Sequence, residues 1–145
     1  MPYATQSDMT TRFSEAELIQ VTNNTDLAAV AIDTTRLQSA LEDADAEIDA
    51  RLQPRYALPL ASVPRLLVNA ACDIARYRLY DDRATDQVTR RYEDAIKLLD
   101  RIGRGELQLG LDAAQQPTPS TAGAHVQAVP RTFGRDLLTD YRNGS

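Results

Sequence analysis

The chain has 145 residues, 43% of them hydrophobic, a net charge of −5, one cysteine and one histidine. That length fits one domain with an appendage, large enough to bury a core without staples. No apolar run approaches the roughly 20 residues a membrane helix needs, the lone cysteine excludes an internal disulfide, and the acidic balance argues against a surface that must neutralise phosphates.

All six glycines lie at or beyond Gly103. Residues 1–102 therefore lack the commonest turn-former and read as helices with short connections, not as a sheet of hairpins. The N-terminus has neither a basic nor an apolar targeting region, so nothing in it suggests secretion. Two capping boxes follow, Thr5-Gln6-Ser7-Asp8 and Ser14-Glu15-Ala16-Glu17. In each, the hydroxyl can accept from the N3 amide while the acid reaches back to the cap amide. They predict short helices over 5–12 and 15–22, the second held by a Phe13/Leu18 staple. Asn23-Asn24-Thr25 breaks the pattern, and Leu27-Ala28-Ala29-Val30-Ala31 is too short to assign to helix or strand.

Asp33 reads as the N-cap of the next helix, with Ile32 and Leu37 as its staple. Leu37, Leu41, Ala44, Ile48 and Leu52 recur at helical spacing, one stripe of a 3.6-residue period. The opposite face is acidic, with Glu42, Asp43, Asp45, Glu47 and Asp49 against Arg36 and Arg51. Pro54 ends the helix. An extended, proline-bounded piece, Tyr56-Ala57-Leu58-Pro59-Leu60, leads to a helix starting near Pro64 and running to about residue 80. Leu66, Leu67, Ala70, Ala71, Cys72, Ile74, Ala75 and Leu79 make it apolar over most of its circumference, which marks a central helix wrapped by others. Cys72 then reads as a small buried hydrophobe.

Asp81-Asp82-Arg83 makes a turn, and Thr85 caps a last long helix with the stripe Val88, Tyr92, Ala95, Ile96, Leu99 and Ile102. Gly103 and Gly105 stop it. Glu106-Leu107-Gln108-Leu109 alternates and could form one short strand, paired with residues 56–60 or with another chain. Residues 111–130 are rich in Ala, Gln, Pro, Thr and Ser, a linker composition. Fully extended, such a stretch reaches roughly 60 Å. Residues 131–145 carry Phe133, Leu137, Leu138 and Tyr141, which share one face if the segment is helical. A helix that short must dock on something to be stable. The expected architecture is all-α: a bundle of four or five helices over 1–110, extended pieces near 56–60 and 106–109, and a C-terminal docking arm.

Candidate chemistry is thin. Asp43-Ala44-Asp45-Ala46-Glu47 imitates the start of a calcium loop, but Ile48 stands at the glycine position and Pro54 at the closing acid. His125 has no second ligand or nucleophile at a recognised spacing. Asp73 with Arg76 and Arg78, and the cluster Asp81-Asp82-Arg83, are more simply ion pairs and caps than acid–base groups. Arg90 and Arg91 are diluted by acidic neighbours. No catalytic residue, metal ligand set or cofactor site is nominated. The tyrosines Tyr56, Tyr77, Tyr80 and Tyr92 surround the central helix, either as a core rim with outward hydroxyls or as anchors at a subunit interface.

Several stretches together resemble one family. They are Tyr3-Ala4-Thr5 with Asp8 and Arg12-Phe13; Glu17-Leu18-Ile19-Gln20-Val21-Thr22; Ala40-Leu41; Asp43-Ala44; and Glu47-Ile48-Asp49. Leu52, Arg55-Tyr56-Ala57-Leu58-Pro59-Leu60 and Val63-Pro64 follow, then Cys72-Asp73-Ile74-Ala75-Arg76-Tyr77-Arg78-Leu79-Tyr80-Asp81-Asp82-Arg83. Arg91-Tyr92-Glu93-Asp94-Ala95-Ile96 and Leu98-Leu99 complete the set. In order and spacing this resembles the small head–tail adaptor, or neck, proteins of Mu-like bacteriophages and prophages, over about residues 3–110.

The resemblance implies a structural virion protein with no catalytic residues, assembled in the host cytoplasm and resident at the virion neck. It implies a ring, commonly of twelve copies, between the portal protein and the next neck or tail-terminator ring, with genome DNA passing through and no membrane partner. Set against it, Tyr56, Leu58, Leu60, Tyr77 and Tyr80 become subunit-interface candidates. Glu42, Asp43, Asp45, Glu47 and Asp49 become channel-facing candidates. Phe133, Leu137, Leu138 and Tyr141 become the anchors of an arm for the portal or a neighbouring subunit. The rival reading is a DNA-binding or packaging accessory protein of a phage.

Overall fold

Helix caps set the chain's punctuation. In the computed structural model, which describes residues 2–110, α1 (Gln6–Arg12), α2 (Glu15–Thr22), α3 (Thr34–Leu52), α4 (Arg65–Tyr80) and α5 (Asp86–Gly103) occur in that order. A single 3-10 turn, Asp81–Arg83, separates the last two. Thr5, Ser14, Asp33 and Thr85 cap α1, α2, α3 and α5, each side chain accepting a first-turn amide. Such caps satisfy donors that a helix start otherwise leaves orphaned. Pro64 precedes the first helical residue of α4 with extended ψ, so its missing N–H costs nothing there.

The α4 helix is the hub. Leu67, Ala70, Ala71, Cys72, Ile74, Ala75 and Leu79 are all buried, and α4 packs against α1, α2, α3 and α5. The α3 stripe (Leu37, Leu41, Ala44, Ile48, Leu52) is buried throughout. From α5, Val88, Ala95, Leu99 and Ile102 are buried, with Tyr92 and Ile96 packed at the core margin. Leu66 departs from the expected apolar circumference: it is 41% exposed. Two residues beyond Pro64, it lies on the side of α4 that borders an open recess, while Leu67, the next residue round the helix, is fully buried.

The extended pieces join the same core without forming a sheet. Tyr56, Leu60 and Leu109 are buried, and the Leu109 amide donates to the Tyr56 hydroxyl at 3.3 Å. No strand occurs among the described residues, so the alternation at 106–109 reflects one-sided burial and not a ladder. Its direction is set by the end of α5. Gly105 takes φ +82°, its amide donates to the Ile102 carbonyl at 3.0 Å, and the Glu106 amide donates to that of Arg101 at 2.9 Å. That is a Schellman ending, which favours glycine at the left-handed position. Gly103, by contrast, lies inside the helix. A Cβ there would stand 2.6 Å from the Arg51 carbonyl oxygen, so this glycine lets α5 approach the end of α3.

The expectations for 111–130, for His125 and for the arm residues Phe133, Leu137, Leu138 and Tyr141 lie outside the described residues.

Candidate functional site

The polar side chains of α4 reach outward to all four neighbouring helices, with Arg76 and Tyr80 sharing one acceptor on α2. Asp73 accepts Arg12 of α1 through both oxygens, at 3.1 and 3.0 Å. Arg76 donates to Glu17 of α2 at 2.7 Å, with its guanidinium 4.5 Å from the centre of the Phe13 ring. The Tyr80 hydroxyl donates to the same Glu17 oxygen at 2.7 Å. Arg78 donates to Glu47 of α3 at 3.1 Å. Tyr77 stacks on Tyr92 of α5, ring centres 4.1 Å apart and nearly parallel, and the Tyr92 hydroxyl donates to Glu47 at 2.9 Å. An apolar helix supplies no preferred rotation for its neighbours, whereas these directional bonds select one.

The electrostatics follow from the packing. Burial raises the Asp73 carboxyl above its ordinary range, and the Arg12 guanidinium opposes that rise. The Glu47 hydrogen bond raises Arg78 further. Burial first, and then bonds to Glu17 and Glu47, raise the Tyr80 and Tyr92 hydroxyls. Glu17 therefore corrects the sequence expectation. The Ser14 hydroxyl does accept the Glu17 amide at 3.1 Å, but the carboxylate spans to α4 instead of returning to its own cap. The box at Thr5–Asp8 is complete, with the Thr5 amide donating to Asp8 at 2.8 Å.

Beside the Arg12–Asp73 pair lies an open cleft of about 340 Å3 between α1, α4 and α5. Leu66, Ala70, Ala95 and Leu98 form its apolar part, and Arg12, Asn69, Asp73, Arg91 and Asp94 its polar part. The cleft's most buried carboxylate, Asp73, is engaged by the Arg12 guanidinium, and an apolar floor with a polar rim is the character of a surface that recognises a partner.

A second surface lies at the other end of α4. The loop joining α2 to α3 exposes Leu27 at 95% and Val30 at 89%, yet it is tied down. The Asn23 amide group donates to the Ile19 and Ala31 carbonyls, both at 2.8 Å. Asp26 accepts the Ala28 amide at 3.0 Å, and Thr22 accepts the Asp33 amide at 3.0 Å. The short apolar run 27–31 was the available signal, since an unassigned apolar stretch between polar breakers must be either core or deliberately exposed.

The family described as Bacteriophage Mu, Gp36 matches residues 3–128. The chain belongs to this family. It is 41% identical over 108 residues to the Mu-like prophage FluMu protein gp36 of Haemophilus influenzae, covering 74% of this chain and 77% of that protein. It is 31% identical over 136 residues to gene product J of Escherichia phage Mu, covering 93% and 96% of the two chains. This is a protein of Mu-like phages, and no helix among its described residues is long and apolar enough to cross a membrane.

Within this Gp36-family fold the nominated residues separate. Of the acidic set, Glu42 and Asp43 are exposed. Asp45 accepts the Tyr3 amide at 2.9 Å, Asp49 accepts the Tyr3 hydroxyl, and Glu47 is taken by Arg78, Tyr92 and, at 3.5 Å, Arg51. Burial raises the Asp45 carboxyl while the Tyr3 amide opposes it. Of the tyrosine set, Tyr56 and Leu60 are buried in the chain's own core, Leu58 packs against it, and Tyr77 and Tyr80 are the half-buried links described above. The hydroxyls of Tyr56, Tyr80 and Tyr92 are all used internally, not turned outward. Among the described residues no group of acidic, histidine or cysteine side chains has the arrangement of a metal site.

Proposed function

We propose that the chain is a structural subunit of the phage neck: a head–tail adaptor whose copies form a ring, of about twelve in keeping with the family resemblance, between the portal and the next neck or tail-terminator ring. Genome DNA passes through the ring without being gripped. One observation carries this reading beyond family membership. Asp73, Arg76 and Arg78 of α4 are committed to holding the helices together, while the surface also presents an ordered apolar loop and an apolar-floored cleft. Surfaces of that kind serve protein contact. With a net charge of −5 per copy, a ring presents a field that repels a polyanion, which suits a conduit. Glu42 and Asp43 are the solvent-facing acids of α3, placed to line such a channel.

A cryo-EM reconstruction of the assembled neck tests this. Density for the chain in a ring around the DNA path, with the Glu42 and Asp43 side of α3 inward, is the expected result; the chain elsewhere in the particle refutes the role, and that side facing outward refutes the lining. A second test concerns the C-terminal arm, for which the portal is the proposed partner. Deleting residues 111–145 should abolish attachment to portal-bearing heads while far-UV circular dichroism of the remaining body is retained. Salt-dependent duplex affinity at micromolar concentration or tighter would instead support a DNA-binding accessory protein.

A further inference from the structure

The loop between α2 and α3 and the cleft between α1, α4 and α5 have complementary characters and sit apart on one molecule. Leu27 stands beside Tyr80 and Arg83, at the C-terminal end of α4. The cleft is built on Leu66, Ala70 and Asp73, near its N-terminal end. At 1.5 Å per residue, the ten residues from Ala70 to Tyr80 separate the two by about 15 Å along the helix. The loop is held by Asn23, Asp26 and Thr22, so it cannot fold back to fill the cleft of its own chain.

We propose that Leu27 and Val30 of one copy seat in the Leu66–Leu98 cleft of the next copy, forming the subunit contact of the ring. The inference rests on the ring reading above and names its interface. Two different patches at opposite ends of one helix make a heterologous contact, the type that propagates head to tail and closes into a ring when the rotation allows. The pieces match in kind. Two large aliphatic side chains, already ordered and fully hydrated, face a recess floored by two leucines and two alanines. An ordered loop loses little conformational freedom on docking. Residues 23–33 carry Asp26 and Asp33 and no base. The cleft's own charges balance, with Arg12 held by Asp73 and Asp94 beside Arg91; among the described residues Arg91 is in no ion pair, so it is the cleft's available partner for a loop acid.

The test is site-specific cross-linking of the full chain with a short bis-maleimide. Cys72 is buried and its thiol is pushed up to about 12, so the native cysteine stays silent. Leu27→Cys and Leu66→Cys proteins are prepared separately and then mixed, in concentrated solution and on purified necks. Covalent dimers that require both variants support the contact, as does a ladder of products from the double variant. A matching loss comes from Leu27→Asp, which should lower ring incorporation at least tenfold while leaving thermal unfolding unchanged.

Dimers from Leu27→Cys alone would mean a symmetric contact and overturn the proposal. Rings that assemble without any product joining positions 27 and 66 overturn the interface but leave the ring intact. A chain that stays single both in solution and in particles overturns the ring as well. If Leu66→Cys is protected only while residues 111–145 are present, with no intermolecular product, the cleft serves the chain's own arm and the proposal falls.

Discussion

Glu47 tests whether the α3 acids hold the fold or merely decorate it. Replacing it with alanine removes three interactions of unequal weight. The hydroxyl bond from Tyr92 at 2.9 Å is charge-assisted and partly buried, and its loss costs about 1.5 kcal/mol. Arg78 has a side chain 45% exposed, so it rehydrates and its loss costs about 0.5 kcal/mol. Arg51 is an i,i+4 partner at 3.5 Å that keeps Asp100 at 3.1 Å, which limits its share to about 0.3 kcal/mol. The total is about 2–2.5 kcal/mol, or roughly 8–10 °C in Tm for a body of this size.

Glu42→Ala and Asp43→Ala, on the exposed part of the same helix, should stay within about 0.5 kcal/mol of the parent. Urea denaturation of the full chain, followed by far-UV circular dichroism, measures both. The midpoint should fall for Glu47→Ala with an unchanged m-value. A cycle with Tyr92→Phe should return a coupling of about 1 kcal/mol. If Glu47→Ala costs no more than Glu42→Ala, the carboxylate is solvated and the argument that α3 is locked to α4 and α5 through it fails.

Neighbouring leucines on α4 should behave oppositely: Leu67→Ala costs about 3 kcal/mol, whereas Leu66→Ala, on the exposed side, moves the urea midpoint by less than about 0.5 kcal/mol in energy terms. Gly103→Ala improves helix propensity by about 1 kcal/mol, but its Cβ would meet the Arg51 carbonyl at 2.6 Å; thermal unfolding should show a net loss of about 1–3 kcal/mol, and a stabilised variant would contradict the close α3–α5 approach. The Tyr3 hydroxyl is raised above 10.0 by burial and by its bond to Asp49, so the fold holds its proton more tightly than the unfolded chain does. That contribution is complete below pH 10 and is lost as the pH rises through the raised value. Tyr3→Phe should therefore cost about 1–2 kcal/mol at neutral pH and flatten the decline above pH 10 only in part, because Tyr80 and Tyr92 are raised as well and keep their share of it; an unaltered alkaline limb would refute the assignment.

Local chemistry made much of this protein readable from its residue order. A cap needs only a short polar side chain and a free amide three residues on, so Thr5, Ser14, Asp33 and Thr85 announced four helix starts without reference to anything distant. The α3 and α5 stripes were legible for a similar reason: burial of one face imposes a 3.6-residue period on the chain itself. The apolar wealth of α4 likewise marked it as the hub before its neighbours were known.

Partner choice across space was not legible. Glu17 has a local option at its own cap and a distant one at Arg76 and Tyr80; the distant pair prevails because it satisfies two donors at the core margin, one of them a largely buried cation. Tyr56, Tyr80 and Tyr92 looked equally able to face outward, and only the approach of Leu109, Glu17 and Glu47 decided otherwise. Leu66 and Leu67 are chemically identical in the sequence, yet one is exposed and the other buried, because one borders the recess between α1, α4 and α5 and the other faces the packed core. Periodicity and capping are properties of a segment, whereas a hydrogen-bond partner, an exposed leucine or a cleft belongs to the packing of segments separated by tens of residues, and tertiary structure alone determines it.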